Sequence, residues 1–137
     1  MDDLIAFLKA RLDEDEHVAR AVAWTDRAAC WRVAPTGVVS GLGIVVERDV
    51  YMITGQRHDK LEHIARHDPA RVLREVEAKR RIVESYVTAQ AKVDRLVGED
   101  ETVVAGRAWR EGALLEVLRT LALPYDDHDD YREEWKP

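Results

Sequence analysis

Apolar side chains recur at helical spacing along most of the chain and give way to β-branched runs in one stretch only. In residues 1–23, Leu4, Ile5, Leu8, Leu12, Ala19 and Val22 fall on one face at about 100° per residue. This predicts an N-terminal helix, with Asp2 and Asp3 where the helix dipole favours negative charge. Asp15 projects close to the Leu8/Leu12 face, and Arg11, four residues earlier, is the expected partner.

Residues 29–54 change period. Cys30–Val33, Gly37–Val39, Gly43–Val46 and Val50–Ile53 are short runs of β-branched and aromatic residues. Turn residues separate them at Pro35-Thr36-Gly37, Gly41-Leu42-Gly43 and Arg48-Asp49. The pattern predicts a β-meander of three or four antiparallel strands, bulged at the Gly41/Gly43 pair. Gly41-Leu42-Gly43 lacks the third glycine and the following helix of a dinucleotide loop.

Helical spacing returns over residues 58–97. Asp59 to Arg66 reads as a short helix with Leu61, Ile64 and Ala65 inward. Asp68-Pro69 then supplies an N-cap followed by proline at the first helical position. The helix starting there is expected to reach Val97, with Gly98 as its stop and Val72, Val76, Val83, Tyr86, Val93 and Val97 as its buried stripe. It would span about 44 Å, against a small domain of about 30 Å, so a stripe left uncovered predicts a homodimer. Residues 101–122 predict a last helix packed on the long one through Val103, Val104, Trp109, Leu114, Leu115, Leu118 and Leu121, although Gly106 and Gly112 weaken it. Residues 123–137 form an acidic, aromatic tail. The expected architecture is α+β within one domain spanning 1–137: an N-terminal helix, a small antiparallel meander, and a long helix paired with a C-terminal helix.

Composition narrows the classes of function. A chain of 137 residues suits one domain, and 46% hydrophobic with 35% charged residues suits a folded one. The single cysteine, Cys30, excludes an internal disulfide or a cysteine-built zinc site. No apolar run approaches a membrane span and the first residues are acidic, so the expected location is the cytoplasm, with no membrane partner. A net charge of −6 argues against nucleic acid as the partner.

Three constellations could carry chemistry. Asp59, His63 and His67 lie four apart and form one helical stripe, the spacing by which two imidazoles and a carboxylate would hold a divalent metal. The stripe falls opposite Leu61, where a solvated face is expected, and Ile64 stands where the metalloprotease pattern needs glutamate. The run Lys79-Arg80-Arg81 has intrahelical partners four away in Glu75, Glu84 and Glu77, so it reads as a self-neutralised face. In the tail, Asp130 and Glu133 have capping-box logic. Tyr131 and Trp135 would share a face of the final turn, docked on the body or offered to another protein. With only Ser40 and Ser85 present, no serine stands beside a plausible base.

The stretch His63-Ile64-Ala65-Arg66-His67-Asp68-Pro69-Ala70-Arg71-Val72-Leu73-Arg74-Glu75-Val76-Glu77-Ala78-Lys79-Arg80-Arg81-Ile82 resembles a family of small actinobacterial proteins, a domain of unknown function. So do Leu121-Ala122-Leu123-Pro124-Tyr125, Asp130-Tyr131-Arg132-Glu133-Glu134-Trp135 and the opening Asp3–Leu8 and Ala10–Asp15. The resemblance implies a shared helical frame and aromatic tail. It also implies, for many members, a cysteine cluster before the final helix; Val93 to Glu116 here contains no cysteine. With no nucleophile–base pair, phosphate loop or strong metal motif in the sequence, the function expected is that of a non-enzymatic interaction or regulatory protein, self-associating or bound to another protein, with no cofactor. The alternative is a metal-dependent hydrolase using Asp59, His63 and His67, with Glu62 as base.

Overall fold

The computed structural model describes residues 1–47, 57–93 and 100–137. Its elements are α1 (Asp2–Val22), α2 (Asp26–Ala29), β1 (Arg32–Ala34), β2 (Gly37–Ser40), β3 (Gly43–Glu47), α3 (Arg57–Arg66), α4 (Pro69–Val93) and α5 (Glu101–Ala122), followed by 3₁₀ turns at Leu123–Tyr125 and Glu133–Trp135. The arrangement is α+β, with a three-stranded antiparallel sheet in the order β1-β2-β3. The fourth expected strand, Val50–Ile53, the Arg48-Asp49 turn and the extension of the long helix from residue 94 to Val97 and Gly98 lie outside the described residues.

The chain divides into two compact units, one of residues 14–76 and one of residues 1–13 with 77–137. In the first, two-residue turns at Pro35-Thr36 and Gly41-Leu42 join the strands. Gly37 and Gly43 open β2 and β3 with positive φ of 135° and 139°, which a side chain would disfavour. The irregularity in strand register falls between Val38 and Val39, not at the Gly41/Gly43 pair. Those glycines serve the turn itself: Gly41 N–H donates to the Arg27 carbonyl at 2.8 Å, and Arg27 returns a bond to the Gly41 carbonyl at 3.1 Å. Arg27 belongs to α2, a short helix capped by Thr25, whose side chain accepts from Ala28 N–H. Val38 is fully buried under Leu61 and Ala65 of α3, with Trp31, Val33, Val45, Val46 and Ile64 around them.

Asp68 starts α4 as expected and does a second task. One carboxylate oxygen accepts from Arg71 N–H at 2.7 Å, and the other accepts from Trp31 N–H at 3.2 Å. The cap therefore ties the helix start to the residue that leads into β1.

The second unit is built on Leu4, Ile5, Phe7 and Leu8 of α1, Val83 and Tyr86 of α4, Leu118 and Ala122 of α5, and Trp135. Phe7 joins the buried face of α1, whereas Val22, expected inside, is half exposed. Phe7 is the hub of the tail. Its ring centroid lies 5.0 Å from that of Trp135, 6.0 Å from Tyr131 and 6.3 Å from Tyr125. Asp130 does not cap the last turn; Arg132 precedes it and no side chain caps it. Instead Asp130 N–H donates to His128 Nδ1 at 3.0 Å, and Arg132 reaches Asp3 at 2.8 Å. Asp126, Asp127, Asp129 and Asp130 are exposed.

Candidate interaction surface

α5 is two helices in its behaviour. From Leu114 onward it supplies Leu114, Leu115, Leu118, Leu121 and Ala122 to the core around Tyr86. Between Glu101 and Ala113 only Val104 and Glu111 are even half buried. Val103 and Trp109, both expected to pack on the long helix, are exposed, Trp109 by 77%. The sequence explains the misplacement: apolar residues surround this helix on all sides, so no single stripe marks its inner face.

The exposed segment has an order of its own. Thr102, Ala105, Gly106, Trp109, Gly112 and Ala113 lie within about 60° of one line along the helix at about 100° per residue. All six are exposed and none is charged. Space outside Gly106 and Gly112 is open, with no atom within 4 Å of where a Cβ would stand. One large indole thus stands in an uncharged band of small residues. Asp100 fixes the start of the segment, its carboxylate accepting from Thr102 N–H at 2.8 Å. The Thr102 backbone bond, and then its side chain, hold the Asp100 carboxyl below the ordinary carboxylate value.

Among the described residues, the stripe expected to require a second copy is covered. Val76, Val83 and Tyr86 are buried, and Val72 and Val93 are half buried. On α5, Val103, Trp109 and Val117 are exposed.

Asp59, His63 and His67 are all exposed, opposite buried Leu61 and Ala65. The two imidazoles lie side by side, with centroids 4.3 Å apart and planes tilted by 41°, and His67 Nδ1 is 2.8 Å from the His63 carbonyl oxygen. Among the described residues no three His, Cys, Asp or Glu side chains stand together as a metal site. Of the basic run, Arg81 meets Glu77 at 2.9 Å, Arg80 meets Asp13 at 2.6 Å, and the Lys79 ammonium lies 5.6 Å from the Tyr125 ring centroid. Trp135 is 7% exposed. Tyr131 is half buried, and with Phe7 and Trp135 it walls a cleft of about 510 Å³ rimmed by Asp3, Asp129 and Asp130. Cys30 is exposed and free. No helix among the described residues is long and apolar enough to cross a membrane.

These features define a small α+β protein with a helix-borne band of exposed apolar surface. The chain belongs to the family described as "Family of unknown function (DUF6221)", whose model matches residues 1–137. No curated protein and no solved structure matches it at a significant level.

Proposed function

We propose that this is a non-enzymatic interaction protein of the cytoplasm that binds a second copy of itself through the Trp109 face of α5. The observation that carries the reading is Trp109, 77% exposed at the centre of an uncharged band. Tryptophan is enriched among the residues that dominate interface energies. In a two-fold contact each indole would lie over the small residues of the other helix, so one band supplies both knob and recess. The gain is modest. Burying the open part of one indole is worth about 4 kcal/mol, and two such burials are set against about 4–15 kcal/mol of lost freedom. The dimer should therefore form at micromolar concentration and dissociate on dilution. The exposed thiol of Cys30 suits a reducing compartment.

Light scattering across micromolar concentrations tests this. The mass should rise from 15.7 kDa towards twice that value. Trp109→Ala, or Ala105→Glu with its charge in the band, should hold it at the monomer. A wild-type protein that stays monomeric while binding another protein through Trp109 would make the partner heterologous. Dimers that persist in both variants would remove α5 from the interface.

A further inference from the structure

The second half of α4 carries Arg81, Ser85, Thr88 and Lys92 at intervals of four, three and four residues, hence on one helical face. Arg107 and Arg110 of α5, one turn apart, line the same cleft, which has a volume of about 670 Å³. That is the scale of a small-molecule site. Among the described residues, Glu84 is the one carboxylate in the lining, against four cations, in a chain whose net charge is −6. Arg81 is paired with Glu77 at 2.9 Å. Lys92, Arg107 and Arg110 make no ion pair among the described residues. Like charges gathered in a concave wall focus a potential that draws in an anion.

We infer that this cleft binds a small phosphorylated polyol of the sugar-phosphate class. The guanidinium groups of Arg107 and Arg110 can each present paired N–H donors to phosphate oxygens, with Lys92 adding a point charge. The rest of the lining suits hydroxyl groups. Glu84 can accept from them, and Ser85, whose Oγ donates to the Arg81 carbonyl at 2.8 Å, keeps its lone pairs for them. Among the described residues the lining holds no aromatic ring on which a nucleobase could stack, which disfavours a nucleotide. The overall negative charge disfavours a long polyanion, whose phosphates would run on past the cleft. The inference is independent of the Trp109 contact, since Trp109 is not in the lining.

Calorimetric titration of the full chain with glucose 6-phosphate tests it, with glucose as the neutral control. The expected result is saturable binding of one molecule per chain that weakens as salt rises, and no binding of glucose. Arg107 and Arg110 are exposed, so the double variant Arg107→Gln/Arg110→Gln should melt as wild type does and bind about tenfold more weakly or less. Lys92→Gln should weaken binding too, whereas Arg20→Gln, outside the cleft, should not. Absence of saturable binding, equal affinity for glucose, or affinity unmoved by the cleft variants would overturn the inference. So would tighter binding of inorganic pyrophosphate than of glucose 6-phosphate, or displacement by single-stranded RNA at lower concentration.

Discussion

Trp135→Ala should cost the protein about 4 kcal/mol of stability. Trp135 lies in an acidic tail, where truncation of a side chain would ordinarily be silent. Here it is 93% removed from solvent, with its ring 5.0 Å from Phe7, 5.8 Å from Tyr131 and 5.5 Å below the Arg132 guanidinium. A tryptophan buries about 150–250 Å², worth about 4–6 kcal/mol at about 25 cal/mol per Å². The alanine left behind keeps a small part of that, and measured tryptophan-to-alanine changes in cores run at about 3–5 kcal/mol. The Arg132–Asp3 pair beside it, more than half exposed on both sides, adds about 1 kcal/mol or less. For 137 residues, about 4 kcal/mol lowers the melting temperature by about 12–15 °C. Urea denaturation followed by circular dichroism gives the number, and Trp109→Ala, measured at a concentration where the chain is monomeric, is the control expected to change stability by less than about 0.5 kcal/mol. A loss below about 1 kcal/mol for Trp135→Ala would refute the packed tail.

Two glycines should respond in opposite senses to alanine. At Gly112, where a Cβ meets nothing within 4 Å, alanine should stabilise α5 by about 1 kcal/mol, seen as a rise of about 3 °C; at Gly41, where a Cβ would stand 2.8 Å from the Arg27 carbonyl oxygen, alanine should destabilise by about 1–3 kcal/mol. Because the folded Asp100 carboxyl titrates below its unfolded value, its cap is fully present above the ordinary carboxylate range and is lost as pH falls through the lowered pKa; carboxyl NMR of Asp100 should report that depressed midpoint, and Thr102→Pro, which removes the donating N–H, should raise it. Protein purified without a tag should carry less than stoichiometric metal, since the exposed histidine pair gathers no third ligand among the described residues; stoichiometric zinc lost in His63→Ala would instead favour the hydrolase reading.

The start of the long helix was legible because it has a local cause. Asp68-Pro69 marks α4 by a cap and a fixed φ, and Val76, Val83 and Tyr86 then keep one face for the core. The meander was legible from its turn residues. What escaped was set by tertiary contact. The register irregularity at Val38/Val39 sits within a β-branched run that carries no glycine signal, while the glycine that looked like a bulge is small so that Arg27 can approach. The helix Asp26–Ala29 is too short for periodicity; Thr25 followed by Asp26 was its only trace. The Trp109 face was missed for a different reason. A sequence rule that sends large apolar residues inward has no way to place a tryptophan on a helix that is apolar all round. The band of Ala105, Gly106, Gly112 and Ala113 at three- and four-residue spacings around it was the available signal.

Fluorine NMR of protein carrying fluorotryptophan tests the α5 contact most directly. The chain has four tryptophans, and Trp109→Phe identifies the resonance of interest. Trp135 is buried within one chain and Trp109 is exposed in it, so the two should respond differently to dilution. On going from high to low micromolar protein, the Trp109 resonance should move and its solvent isotope shift should grow, while the Trp135 resonance stays fixed. A Trp109 resonance that is solvent-exposed and unchanged at every concentration would contradict self-association through α5.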